Sequence, residues 1–214
     1  PPQRPPARRR DLLGPKRHGL RPEDARLQVL EAQEQPAPGG KGVLGLDYFV
    51  DREEYDGARE GVPAYLHEVE LEDAAQRCGV QRRERLRATT NGTEVWVGAV
   101  RLRFVHTPGH SRGGMSIAVG RGEAEGRLGP GFEERFVLTG DTLFPGSCGR
   151  IDLPESDKAE MYKSLQNVLR ELPNDMVVWP GHGYSGGSTT IGKEKKRGLL
   201  RRTSEQQWRR QMGG

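Results

Sequence analysis

A chain of 214 residues holds one domain, or one domain with tails. With 33% apolar residues against 30 glycines and 15 prolines, it supports a modest core and much loop length. The formal charge is only +4, and no run approaches the ~20 apolar residues of a helical membrane span, so no membrane partner is expected.

The charge is unevenly spread. Basic residues crowd Arg4–Arg21 and Lys193–Arg210. They read as solvated ends rather than a nucleic-acid surface, because no aromatic residues interleave with the front run to stack on bases. Cys78 and Cys148 form neither a disulfide framework nor a CxxC pair. That fits a reducing compartment, and a cytoplasmic location is expected. The Arg-rich, acid-poor front leaves organelle targeting open, although it lacks serine.

In chain order, residues 1–42 read as a Pro- and Arg-rich extension with a helix candidate at Glu23–Gln33 between Pro22 and Pro36. Residues 43–200 read as an α/β domain, and 201–214 as a basic C-terminal tail. Val62–Leu66 is a strand candidate, followed by a helix over Glu68–Arg77 that closes near Gly79. Val100, Leu102 and Phe104 alternate with Arg101 and Arg103, the period of a half-buried strand, and Gly98 marks a hairpin turn after Val95–Val97. Met115–Val119, Phe136–Thr139 and Met176–Trp179 are three further short apolar strands. Between the last two, Asp157 and Glu160 open a helix with an apolar face of Met161, Leu165, Val168, Leu169 and Leu172, stopped by Pro173.

Three polar segments follow strands: HTPGHS (His106–Ser111), TGDTLF (Thr139–Phe144) and PGHGY (Pro180–Tyr184). Each puts a His or Asp on a glycine-containing loop at a strand end, where side chains from separate strands can converge. Imidazole nitrogens and a carboxylate gathered in this way suit a divalent metal with an open position for water. Taken singly, each is an ordinary loop histidine or aspartate. Their order and setting carry the signal.

In that order, the three segments resemble the later motifs of the metallo-β-lactamase superfamily, and most closely its glyoxalase II-like branch. GSCGRIDLP (Gly146–Pro154) and STTIGKEK (Ser188–Lys195) extend the resemblance, which covers about residues 57–200. It implies an αββα sandwich and a metal-dependent hydrolase acting on a small thioester or ester, of the hydroxyacylglutathione hydrolase kind. It also implies zinc, as one or two ions, with iron as an alternative. By position, the implied ligands are His110, Asp141 and His182, with Asp141 bridging two metals at the catalytic centre. Arg150 and Tyr184 stand where relatives contact substrate. Arg150 is read equally as a residue that ties loops together. His106 is read as supporting or structural, and Cys148 as having no catalytic role.

The family's early HxHxDH motif is missing, which leaves the sandwich incomplete in its N-terminal half. The five histidines are His18, His67, His106, His110 and His182, and none forms it. Before Gly57 stand Asp51, Glu53, Glu54 and Asp56, read either as oxygen ligands or as a solvated acidic loop. The chain then reads as truncated or misjoined, or as a degenerate homologue. Three functions follow: a glyoxalase II-like hydrolase, a persulfide dioxygenase-like iron enzyme, or a metal-poor binding protein.

Overall fold

A computed structural model of the chain describes residues 63–123, 128–129, 132–183 and 186–212. The extension over 1–42, the helix candidate at Glu23–Gln33, the acidic loop at Asp51–Asp56 and Tyr184 lie outside the described residues.

The first unit is β1 (Ala64–His67), α1 (Glu68–Arg77) and β2 (Leu86–Thr89), with the two strands paired in parallel. The predicted helix has its predicted bounds for local reasons. The ring of His67 accepts a hydrogen bond from the Val69 amide at 3.3 Å, which caps the start. Glu68 and Glu70 in the first turn and Arg77 in the last complement the helix dipole. Gly79 then turns the chain at φ +68°. Ala75, Cys78, Val80 and Leu86 form a small core beneath it.

The main sheet has six strands in chain order: β3 (Glu94–Val97), β4 (Val100–His106), β5 (Met115–Arg121), β6 (Glu134–Gly140), β7 (Val177–Pro180) and β8 (Thr189–Thr190). β3 to β6 form an antiparallel meander, whereas β7 joins β6 in parallel. A parallel pair needs a crossover, here built on α2 (Lys158–Lys163), which continues through a π turn at Ser164–Val168 and a 3₁₀ turn at Leu169–Glu171. This topology makes β4, β6 and β7 run in one direction. Their carboxyl ends, and so all three polar segments, emerge at one end of the sheet.

The main core lies on one face of this sheet. Val137 and Val178 pack with Met161, Leu165, Leu169, Ile191, Leu200 and Trp208, all at most 2% exposed. The α/β class read from the sequence holds, with two differences of detail.

Arg101, expected on the polar side of its strand, is only 9% exposed. Its guanidinium bonds Glu94 at 2.8 Å and Glu134 at 2.7 Å, and lies 4.4 Å from the Phe132 ring centroid. Arg103 shares Glu134 through two bonds of 2.6 Å. Period-two alternation marks which residues face together. It does not mark whether a partner carboxylate will cover them.

Residues 201–214, read as a solvated basic tail, contain α4 (Glu205–Gln211), which follows α3 (Ile191–Arg197). Ser204 and Gln207 form a reciprocal capping box, and Trp208 is 2% exposed, its indole donating to the Lys158 carbonyl at 2.8 Å. The basic residues masked a single aromatic anchor. Among the described residues no helix is long and apolar enough to cross a membrane.

Candidate metal centre

Asp141 stands at the centre of the strand-end cluster. Its Oδ2 lies 3.3 Å from His110 Nε2, and its Oδ1 lies 3.4 Å from His182 Nε2. The carboxylate therefore presents one oxygen to each imidazole, and the three side chains are about a quarter exposed, so the site opens to solvent. The topology of the sheet brings together three residues separated by up to 72 positions in sequence.

Each is held by specific contacts. His110 Nδ1 lies 2.8 Å from the Arg150 carbonyl, which can only accept, so Nδ1 carries the proton. In the neutral ring this leaves Nε2, the nitrogen that faces Asp141, as the one able to ligate a metal. The backbone of Asp141 is fixed by the Gly149 amide, which donates to its carbonyl at 2.8 Å. The Gly181 amide donates to the Gly140 carbonyl at 2.9 Å, joining the loops that carry Asp141 and His182. Beneath the first loop, Thr107 bonds Ser116 at 2.9 Å and Thr142 at 3.1 Å in a buried hydroxyl network.

Two glycines allow these approaches. A β-carbon on Gly149 would lie 2.4 Å from the Asp141 carbonyl oxygen and 3.0 Å from His110 Nδ1. One on Gly109 would lie 2.5 Å from Met161 Cα, and Gly109 also has φ +140°. The TPGH loop is thereby pressed onto α2, where Ser164 Oγ donates to the Pro108 carbonyl at 2.6 Å. Sequence reasoning named neither glycine. The signal available was their place inside the same motifs as His110 and Asp141.

The remaining candidates fall around this cluster. The guanidinium of Arg150 is exposed and takes both oxygens of Asp152 at 2.9 and 3.0 Å. Its backbone carbonyl, rather than its charge, reaches the site. His106 and His67 stack with centroids 4.0 Å apart at the head of α1, and His106 Nε2 meets the Arg112 carbonyl at 2.9 Å. Burial pushes the Cys148 thiol up to about 11, so it is no nucleophile at neutral pH.

The donor set suits a metal in part. Asp141 Oδ1 is buried with no hydrogen-bond partner among the described residues, a costly state for an anionic oxygen that a cation would relieve. Ligands of a tetrahedral ion with bonds of ~2.0–2.1 Å stand roughly 3.3–3.4 Å apart. Both imidazole–carboxylate contacts have that spacing. The set is nonetheless incomplete. Among the described residues no three His, Cys, Asp or Glu side chains gather around a single ion, and the two imidazoles address different oxygens of Asp141.

No protein-family model matches the chain. It is 30% identical over 149 residues to the probable hydroxyacylglutathione hydrolase glo2 of Schizosaccharomyces pombe, covering 68% of this chain and 51% of that protein. A metallo-beta-lactamase from Staphylococcus aureus matches with a TM-score of 0.52 and 26% identity, over 61% of this chain and 40% of that one. TTHA1623, solved in a di-iron-bound form, matches with a TM-score of 0.50 and 25% identity, over 75% and 74%. The chain spans less than half the length of the first curated relatives it matches, such as 43% of an uncharacterized Aquifex aeolicus protein to which it is 39% identical.

Proposed function

We propose that this chain, which belongs to the metallo-β-lactamase superfamily, carries the later ligand set of a metal-dependent thioester hydrolase of the hydroxyacylglutathione hydrolase kind. The observation behind this reading is the Asp141 carboxylate, which offers one oxygen to each of two imidazoles while its buried Oδ1 lacks a hydrogen bond. His110, Asp141 and His182 would hold the metal, with Asp141 shared between two sides. When bound, a divalent cation supplies Lewis acidity toward a carbonyl and lowers the pKa of water. Zinc suits imidazole and carboxylate donors, and the neighbour solved with two irons supports iron as the alternative.

The chain's own residues set the geometry. The Arg150 carbonyl holds His110 in the Nε2-ligating tautomer, and the Gly149 amide fixes the backbone of Asp141. Asp141, an acceptor at both oxygens, anchors the cluster. Arg150 spends its Nε and one Nη2 donor on Asp152, which leaves Nη1 to meet a substrate carboxylate.

A second reading, a metal-poor binding protein, rests on the lack of an HxHxDH motif in the sequence. One experiment separates the two. The full chain is loaded with zinc or iron, its metal content is counted, and hydrolysis of a hydroxyacylglutathione is assayed. Bound metal and activity, both lost in Asp141→Ala and His110→Ala, support the hydrolase. A folded, metal-free and inactive chain would overturn it and leave the binding protein.

A further inference from the structure

A cavity of about 230 Å³ lies between the loop that follows Asp141 and the C-terminal segment, with Gly146, Arg197, Arg201, Thr203, Trp208 and Gln211 on its walls. No carboxylate lines it. Among the described residues, the guanidiniums of Arg197 and Arg201 have no ion pair.

The segment that carries Arg201 is fixed in an asymmetric way. Gln166 donates to the Leu199 carbonyl at 2.8 Å and to the Arg201 carbonyl at 3.2 Å. Arg170 donates to the Leu200 carbonyl, and the Tyr162 hydroxyl to the Thr203 carbonyl at 3.0 Å. These acceptors are therefore spent on the α2 side of the fold, while the cations of the same stretch stay unspent. Behind the lining, Glu194 is 4% exposed and accepts from the Gly146 amide at 3.1 Å and the Thr189 hydroxyl at 2.9 Å. Trp208, fully packed, closes the floor.

From this surplus of donors over acceptors, we infer that the cavity binds the oxyanion head, phosphate or carboxylate, of a small molecule. Arg197 and Arg201 supply charge-assisted bonds, and the Gln211 amide offers a neutral donor. The cavity shares no lining residue with the metal cluster, and its ligand does not depend on the hydrolase reading.

The test is a titration of the ¹⁵N-labelled full chain with inorganic phosphate and, separately, with acetate, chloride being adjusted to hold ionic strength constant. The Trp208 indole and the Gly146 and Gly198 amides report on the cavity. Saturable shifts are expected, with binding weakened about tenfold by Arg201→Gln and further by adding Arg197→Gln. Both side chains are exposed, so these variants keep the fold. Phosphate binding tighter than acetate assigns a phosphoryl ligand, and the reverse assigns a carboxylate. Shifts that chloride reproduces, or that survive the double substitution, would overturn the inference, as would no shift with either anion.

Discussion

Substituting Gly149 by alanine is the sharpest probe of the metal centre, because the added carbon touches both Asp141 and His110. The β-carbon would lie 2.4 Å from the Asp141 carbonyl oxygen, 2.9 Å from Asp141 Cβ and 3.0 Å from His110 Nδ1. An ordinary contact needs ~3.4 Å or more, so the 150 loop and the Asp141 backbone must separate by about 1 Å. That movement lengthens the Gly149 amide bond to Asp141, now 2.8 Å, and draws the Arg150 carbonyl away from His110 Nδ1, also 2.8 Å. Metal sites tolerate errors of only about 0.2 Å in ligand distance, and loss of such supporting contacts lowers metal affinity about 10–100-fold. Overpacking adds a stability cost of about 1–3 kcal/mol. Zinc affinity by chelator competition and thermal melting of the metal-free chain measure the two effects separately. Gly98→Ala is the control, since Gly98 at φ +60° has nothing within 4 Å of its added carbon. It should cost about 1 kcal/mol through backbone strain alone and leave metal affinity unchanged. If Gly149→Ala bound zinc as tightly as the parent, the close approach of this loop would have no part in shaping the site.

Three other perturbations have defined outcomes. Glu134 is held below the usual carboxylate range chiefly by its bonds to Arg103. Glu134→Gln should destabilise the fold by about 3–5 kcal/mol in urea melts at neutral pH, because Arg101 stays buried with a charge only Glu94 still offsets. Burial, and next the neighbouring His106, lowers the pKa of His67 from its ordinary 6.5. The folded chain therefore takes up its proton later than the unfolded chain, so stability falls as pH drops below 6.5 and levels off below the folded value. His67→Asn, which can still cap α1, should remove that part of the acid dependence in melts between pH 7 and 4.5. The raised Cys148 thiol has the opposite sign, with stability lost as pH rises from its ordinary 9 to about 11, by up to ~3 kcal/mol. Cys148→Ser should flatten the alkaline limb of the stability profile, and an unchanged limb would refute the assignment.

Where sequence and structure agree, the cause is local. The α1 helix was legible because cap, first-turn acids and terminating glycine are all adjacent in the chain. The strands before HTPGHS, GDTLF and PGHG were legible from period and apolar runs. β2 was not, since LRAT has neither a long apolar run nor a clear alternation, and its pairing is with β1 across 18 intervening residues. Arg101 and Trp208 were misplaced for a common reason: burial depends on what lies opposite, and Glu134 and the α2 face are distant in sequence.

The sequence by itself determined the family resemblance and the identities of His110, Asp141 and His182, because motif chemistry is written in short, ordered segments. Only the tertiary structure decided that these three meet, since convergence follows from β4, β6 and β7 running in one direction through a parallel crossover. It also decided which imidazole nitrogen faces Asp141, through a carbonyl 40 residues away from His110. A side chain's type is a property of the chain, whereas its tautomer, burial and partner are properties of the packed fold.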